Sequence, residues 1–207
     1  MKTRNLIIVR HGQSEWNEKN LFTGWENPGL TNKGKLEAEN AGILIKNLDI
    51  TFDYLFTSAL IRAQLTGTII LSQINQEDIP ITKDKALNER FYGDLQGLNK
   101  DECREKWGEE QVQIWRRSYD KGPPSGETLK ETGERVIPYY KKEIGPLIAE
   151  GSNIVIAAHG NSLRSLIKFL DGVSDEDIVK LEIPTGAPIH YIFDHAGNIL
   201  SRNNLIE

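Results

Sequence analysis

Two histidines stand at comparable places in this sequence. The apolar run Leu6-Ile7-Ile8-Val9 leads into Arg10-His11-Gly12, and Ile154-Val155-Ile156-Ala157-Ala158 leads into His159-Gly160-Asn161. A strand end running into a charged turn is where open α/β sheets place ligand chemistry. If the two strands are neighbours, both imidazoles reach the same sheet edge. A neutral imidazole is a competent nucleophile toward phosphorus, and a nearby cation such as Arg10 helps keep it deprotonated. A second imidazole can donate hydrogen bonds to phosphoryl oxygens as charge builds during transfer. Glycine at position 12 lets backbone approach closely. The following Gln13-Ser14-Glu15-Trp16-Asn17 puts short polar groups at a helix start, which favours an anion. A histidine taken at random is more often structural or exposed than catalytic. The paired strand-end positions argue for chemistry. Metal binding is the other use of two histidines, but neither an HExxH pattern nor a cysteine cluster accompanies them.

Further charged residues fit a phosphate-handling site. Arg62 follows the short apolar run Tyr54-Leu55-Phe56, and at a third strand end its guanidinium would give bidentate contact to phosphate. Glu89, in Leu87-Asn88-Glu89-Arg90-Phe91-Tyr92-Gly93, could exchange a proton with a substrate hydroxyl. Arg116-Arg117 is a second cationic pair, whereas Lys100 says little by itself. His190 and His195, five apart across a strand end, read as structural.

The elements that must position these groups alternate between strand and helix. Fully apolar runs at 6–9 and 154–158 fit strands of a largely parallel sheet covered on both faces. A helix from about Thr31 to Leu48 carries Ala41, Leu44, Ile45 and Leu48 at helical spacing, with Thr31 as N-cap. Ser162 is expected to cap a helix carrying Leu163, Leu166, Ile167 and Leu170. A Thr128-x-x-Glu131 capping box starts another helix, expected to be interrupted or kinked at Pro138. Gly122–Gly126 is a loop, and Ile189–Phe193 with Ile199–Ser201 reads as a final hairpin.

At 207 residues the chain is expected to form one domain spanning 1–207, with an ordinary globular composition of 38% apolar and 27% charged residues. A net charge of −5 argues against a general nucleic-acid surface but permits a local arginine cluster for an anionic substrate. The single cysteine, Cys103, allows no internal disulfide and fits a reducing compartment. No apolar run approaches the ~20 residues needed to span a bilayer, and no signal segment is apparent. The expectation is a soluble cytoplasmic protein.

The motifs resemble the cofactor-dependent phosphoglycerate mutases of the histidine phosphatase superfamily. The matching blocks are 9–17, Leu21-Phe22-Thr23-Gly24-Trp25, 87–100, Gln113-Ile114-Trp115-Arg116-Arg117, 156–164 and Ile183-Pro184-Thr185-Gly186. Arg-His-Gly marks only the superfamily; the blocks around Thr23, Glu89, Lys100 and Arg116 are more specific to the mutases. The resemblance implies an α/β fold with a mostly parallel central sheet flanked by helices on both faces. It implies that His11 carries a phosphoryl group, with Arg10, Asn17, Arg62 and His159 around it and backbone at Gly160 and Asn161 adding contacts. Glu89 would be the general acid and base. Thr23, Gly24, Tyr92, Lys100, Arg116 and Arg117 would hold the carboxylate and second phosphate of a phosphorylated three-carbon acid, with Ser14 and Arg90 in the same substrate-binding group. The implied reaction interconverts 3-phosphoglycerate and 2-phosphoglycerate, primed by 2,3-bisphosphoglycerate, without a metal, in a chain that can form a homo-oligomer. A phosphatase acting on small phosphate esters is the alternative on this scaffold.

The chain departs from the family pattern at Gln13 and Phe91. It is shorter between Arg117 and Thr128 than long relatives, and it ends at Glu207 without their long tail. A site lacking that cover would be wetter, which favours hydrolysis of a phosphohistidine.

Overall fold

The two apolar runs lie side by side as parallel strands, paired from Leu6 with Ile154 to Arg10 with Ala158. In the computed structural model, which describes residues 3–206, one sheet is built from β1 (Arg4–Arg10), β2 (Tyr54–Thr57), β3 (Ile81–Lys83), β4 (Ile154–Ala158), β5 (Pro188–Phe193) and β6 (Ile199–Asn204). Met1, Lys2 and Glu207, the expected tail-less end, lie outside the described residues. The order is β3-β2-β4-β1-β5-β6. The β3-β2, β2-β4 and β4-β1 pairs are parallel, and the expected hairpin adds β5 and β6 antiparallel.

Period-two alternation divides β1 and β4 between two cores. Leu6, Ile8, Ile154 and Ile156 face one side, and Ile7, Val9, Val155 and Ala157 face the other. The helices are α1 (Glu15–Glu18), α2 (Asn32–Lys46), α3 (Ile61–Gln73), α4 (Lys100–Trp107), α5 (Glu109–Arg117), α6 (Leu129–Tyr139), α7 (Gly145–Glu150), α8 (Gly160–Asp171) and α9 (Asp175–Ile178). The first face is covered by Val136 of α6, Ile148 of α7, and Leu163, Leu166 and Ile167 of α8. The second is covered by Ala41 and Ile45 of α2 with Ile70 and Leu71 of α3. Each buried Val, Leu or Ile side chain among these contributes about 1.5–3 kcal/mol over an exposed one. A smaller core of Phe22, Leu95, Cys103 and Val112 supports α4 and α5 beyond the sheet edge.

Local signals hold at some ends and yield at others. The Thr31 hydroxyl accepts from the Gly34 amide, and Thr128 and Glu131 form the expected box. Ser162, however, is not the cap of α8. The turn out of β4 is so tight that His159, in extended conformation, takes the cap position, and the Ser162 hydroxyl accepts from the His159 amide at 3.2 Å. Nor is the helix broken at Pro138. It continues to Tyr139, and the irregularity forms one step later as a π turn, Tyr140–Ile144, which buries Tyr140 and Ile144 in the first core.

Candidate active site

Three parallel strands end at one edge, and each delivers a polar side chain there. Beyond β1 comes His11, beyond β4 His159, and beyond β2 Ser58. The His11 amide donates to the Ala158 carbonyl at 3.0 Å, which extends the β1–β4 pairing by one rung. As a result the two imidazole rings meet edge to face with centroids 5.0 Å apart. The glycine after His11 does let backbone approach closely. A Cβ on Gly12 would lie 2.0 Å from the Gly34 carbonyl oxygen, so this glycine lets α2 press against the loop behind His11.

The tautomer of His11 follows from its partners. Nδ1 lies 2.6 Å from the Gly12 carbonyl, which can only accept, so Nδ1 carries the proton. Nε2 therefore keeps its lone pair and accepts from Arg62 Nε at 3.3 Å. Burial, then Arg62 and Arg10, hold the His11 pKa well below its ordinary value. His159 is likewise held well below its ordinary value by burial, then by Arg62, His11, Arg10 and Arg135. Its Nε2 is 2.7 Å from the Ser58 hydroxyl, while Nδ1 is buried without a partner.

Arg62 differs from the expected bidentate ligand. Its terminal nitrogens donate to the carbonyls of Glu26 and Gly24, both at 2.8 Å, leaving Nε toward His11. The guanidinium is thus anchored by the 23–26 loop, which explains why that loop and α3 belong to one site. Arg10 donates through Nη1 to the Ile183 carbonyl at 2.8 Å, and its Nε is buried and unpartnered. Glu89 accepts at Oε1 from the amides of Arg90 (2.7 Å) and Asn161 (3.1 Å).

A cavity of about 170 Å³ joins these groups to a second set of cations. It is lined by Arg10, His11, Asn17, Thr23, Gly24, Arg62, Glu89, Tyr92, Lys100, Arg116, Arg117, Gly160 and Asn161. Burial lowers the Lys100 pKa most; Tyr92 opposes this, and Arg116, Arg10 and Arg104 add to it. Burial would raise the Tyr92 phenol, but Arg90 and the hydrogen bonds it and Asn161 donate bring it below its ordinary value.

Two residues expected to touch substrate lie behind the cavity wall. The Ser14 hydroxyl is engaged as the cap of α1, accepting from the Asn17 amide at 3.1 Å. Arg90 is fully buried, and its Nη2 donates to Tyr92 Oη at 3.1 Å and to the Arg116 carbonyl at 2.9 Å. It supports the wall from beneath. His159 also lies outside the lining, against the His11 ring. His190 is a buried structural group 2.9 Å from Asn5 Oδ1, and His195 sits exposed in the β5–β6 turn.

The sequence reading missed Arg164, Glu182, Leu21, Phe22 and Ile183 as lining residues. Arg164 was accessible to reasoning, since it follows Asn161 by three residues and Gly160 by four on one helix, the spacings at which side chains are neighbours. Its guanidinium donates to Asn161 Oδ1 at 3.2 Å and to the Ile178 carbonyl at 2.6 Å. Glu182 pairs with Arg117 across the cavity mouth.

Comparison with known proteins gives a consistent picture. The profile of the Histidine phosphatase superfamily (branch 1) matches residues 6–205. The chain is 59% identical over 202 residues to a 2,3-bisphosphoglycerate-dependent phosphoglycerate mutase of Parvibaculum lavamentivorans, covering 98% of this chain and 96% of that protein. It is 55% identical over 197 residues to a phosphoglycerate mutase of Schizosaccharomyces pombe, covering 95% and 93%. Among solved structures, the alpha-ribazole phosphatase of Shigella flexneri superposes with a TM-score of 0.79 at 25% identity, over 94% of this chain and 93% of that one.

Proposed function

This chain belongs to the histidine phosphatase superfamily, and on that premise we propose that it interconverts 3-phosphoglycerate and 2-phosphoglycerate through a phosphorylated His11. The observation that carries the reading is one cavity holding a histidine whose unprotonated Nε2 faces the Arg62 guanidinium, a carboxylate, and two separate groups of cations. One group, Arg10 and Arg62, lies at the nucleophile. The other, Lys100, Arg116 and Arg117, suits the opposite end of a doubly anionic three-carbon acid.

The unpartnered buried atoms fit such a ligand. Arg10 Nε and Thr23 Oγ1, both on cavity-lining residues, have no protein partner among the described residues, and phosphoryl or carboxylate oxygens would accept from both. When bound, 2,3-bisphosphoglycerate would supply the phosphoryl group that first loads His11. Asn17, Arg10 and Arg62 would hold that group, and His159 would face it as charge develops. As the substrate hydroxyl attacks phosphorus, Glu89 takes its proton and the phosphorus–Nε2 bond breaks. In the return step Nε2 attacks the other phosphate of the turned molecule, and Glu89 gives the proton to the departing alkoxide. Charge neutralisation falls to the arginines, so the reaction as proposed needs no metal. We place it in the cytoplasm; no helix among the described residues is long and apolar enough to cross a membrane.

Phosphorus NMR of the enzyme with 3-phosphoglycerate, catalytic 2,3-bisphosphoglycerate and a chelator tests the proposal. Growth of 2-phosphoglycerate is expected. Inorganic phosphate as the only product would make the chain a phosphatase instead.

A further inference from the structure

Glu89 lies in a segment that secondary structure does not hold. After the short turn Lys85–Leu87, residues 88–92 belong to no strand or helix, so no ladder of backbone bonds fixes them. A proton-exchanging carboxylate must nevertheless be placed to within a fraction of an ångström, because a misplacement of about 1 Å can cost ~100-fold.

The fixing groups come from α6 and the residues just before it. Arg135 Nη1 donates to the carbonyls of Ala86 (2.8 Å) and Asn88 (2.9 Å), and Nη2 donates to the carbonyl of Glu89 itself (2.8 Å). The same guanidinium is held by Glu127, from Nε at 2.9 Å and from Nη2 at 2.8 Å. Glu127 in turn accepts from the Phe91 amide at 2.9 Å, and its own amide donates to the Phe91 carbonyl at 2.8 Å. The Glu89 carbonyl takes a second bond, from Trp25 Nε1 at 2.7 Å. The loop is therefore tied on both sides of Glu89, while neither Arg135 nor Glu127 lines the cavity.

We propose that Arg135, oriented by Glu127, is a positioning residue that sets the Glu89 carboxylate for proton exchange. The inference rests on the role given to Glu89 above. It accounts for a charged pair that is four-fifths buried beside the site yet does not line the cavity. It also explains the arginine: a planar fork serves a carboxylate and several carbonyls at once, whereas a lysine offers three donors from one point.

A double-mutant cycle tests it. Arg135→Lys keeps the charge and is expected to lower kcat about 10- to 100-fold, with KM for 3-phosphoglycerate within about threefold, because the substrate-holding cations lie elsewhere. On a Glu89→Gln background the same change is expected to cost less than about twofold, since there is no proton exchange left to align. Glu127→Gln, a milder variant that retains an acceptor, is expected to show a smaller kcat loss with the same dependence on Glu89. Should Arg135→Lys fail to fold by circular dichroism, Glu127→Gln carries the cycle. Equal losses on both backgrounds, or a rise in KM with kcat intact, would overturn the proposal. If the wild-type chain makes no 2-phosphoglycerate, the functional reading fails on its own. The cycle is then read from phosphate release from glycerol phosphate, where an aligned Glu89 must still protonate the departing alkoxide.

Discussion

Glu89→Gln isolates proton exchange from everything else the site does. The native Oε1 accepts from two backbone amides, Arg90 at 2.7 Å and Asn161 at 3.1 Å, and a glutamine can present its carbonyl oxygen to both. The loop ties run through the Glu89 peptide carbonyl, which the substitution leaves untouched. The fold and the nucleophile should therefore persist. What disappears is a group that can take and return a proton, which contributes typically ~10²–10⁴ in rate. At 1.36 kcal/mol per decade this is about 2.7–5.4 kcal/mol on the barrier. The charge lost is negative and faces a cavity lined by Arg10, Arg62, Lys100, Arg116 and Arg117, so anion binding should hold or tighten. The expected result is a kcat lower by two to four decades with KM unchanged or reduced, read in a coupled assay of 2-phosphoglycerate formation. A kcat within about threefold of wild type would refute the reasoning. So would a collapse in melting temperature accompanying the loss.

Acid should destabilise the chain through His11 and His159. Both are held neutral in the fold, whereas the unfolded chain takes up protons near the ordinary value of 6.5. Stability should be level above about pH 6.5 and fall below it by up to about 1.4 kcal/mol per pH unit for each histidine, and a melting temperature flat from pH 7.5 to 5.5 would contradict this. Gly34→Ala would set a Cβ 2.1 Å from the Gln13 carbonyl oxygen. Denaturant unfolding should show a loss of about 1–3 kcal/mol as backbone shifts. Arg116→Ala should raise KM for 3-phosphoglycerate about 10- to 100-fold with a smaller effect on kcat, the worth of a charge-assisted hydrogen bond. An unchanged KM would remove Arg116 from the substrate.

The two-histidine edge was legible because β1 and β4 are buried on both faces, and such strands write themselves as unbroken apolar runs. Their adjacency then follows from the register that pairs Arg10 with Ala158. Thr31 and Thr128 were legible as caps because the signal is local. Ser162 misled for the same reason: cap preference knows nothing of how sharply the chain leaves β4, and that turn hands the cap position to His159. Ser14 and Arg90 have the residue types of ligand contacts, yet their side chains are engaged by Asn17 and by Tyr92 and Arg116. The Ser14 bond is a local cap three residues long, whereas Arg90 is turned beneath the wall by a partner 26 residues away, which no spacing along the chain reports. Arg135 was invisible on the same ground. The carbonyls of the Glu89 loop that it holds lie 46 to 49 residues away.

The most direct test of the account is to trace the phosphoryl group. Enzyme loaded from radiolabelled 2,3-bisphosphoglycerate should carry acid-labile label on His11, and His11→Ala should carry none. A chase with excess 3-phosphoglycerate should move that label into the phosphoglycerate pool. Label on another residue, or its release as inorganic phosphate during the chase, would contradict the account.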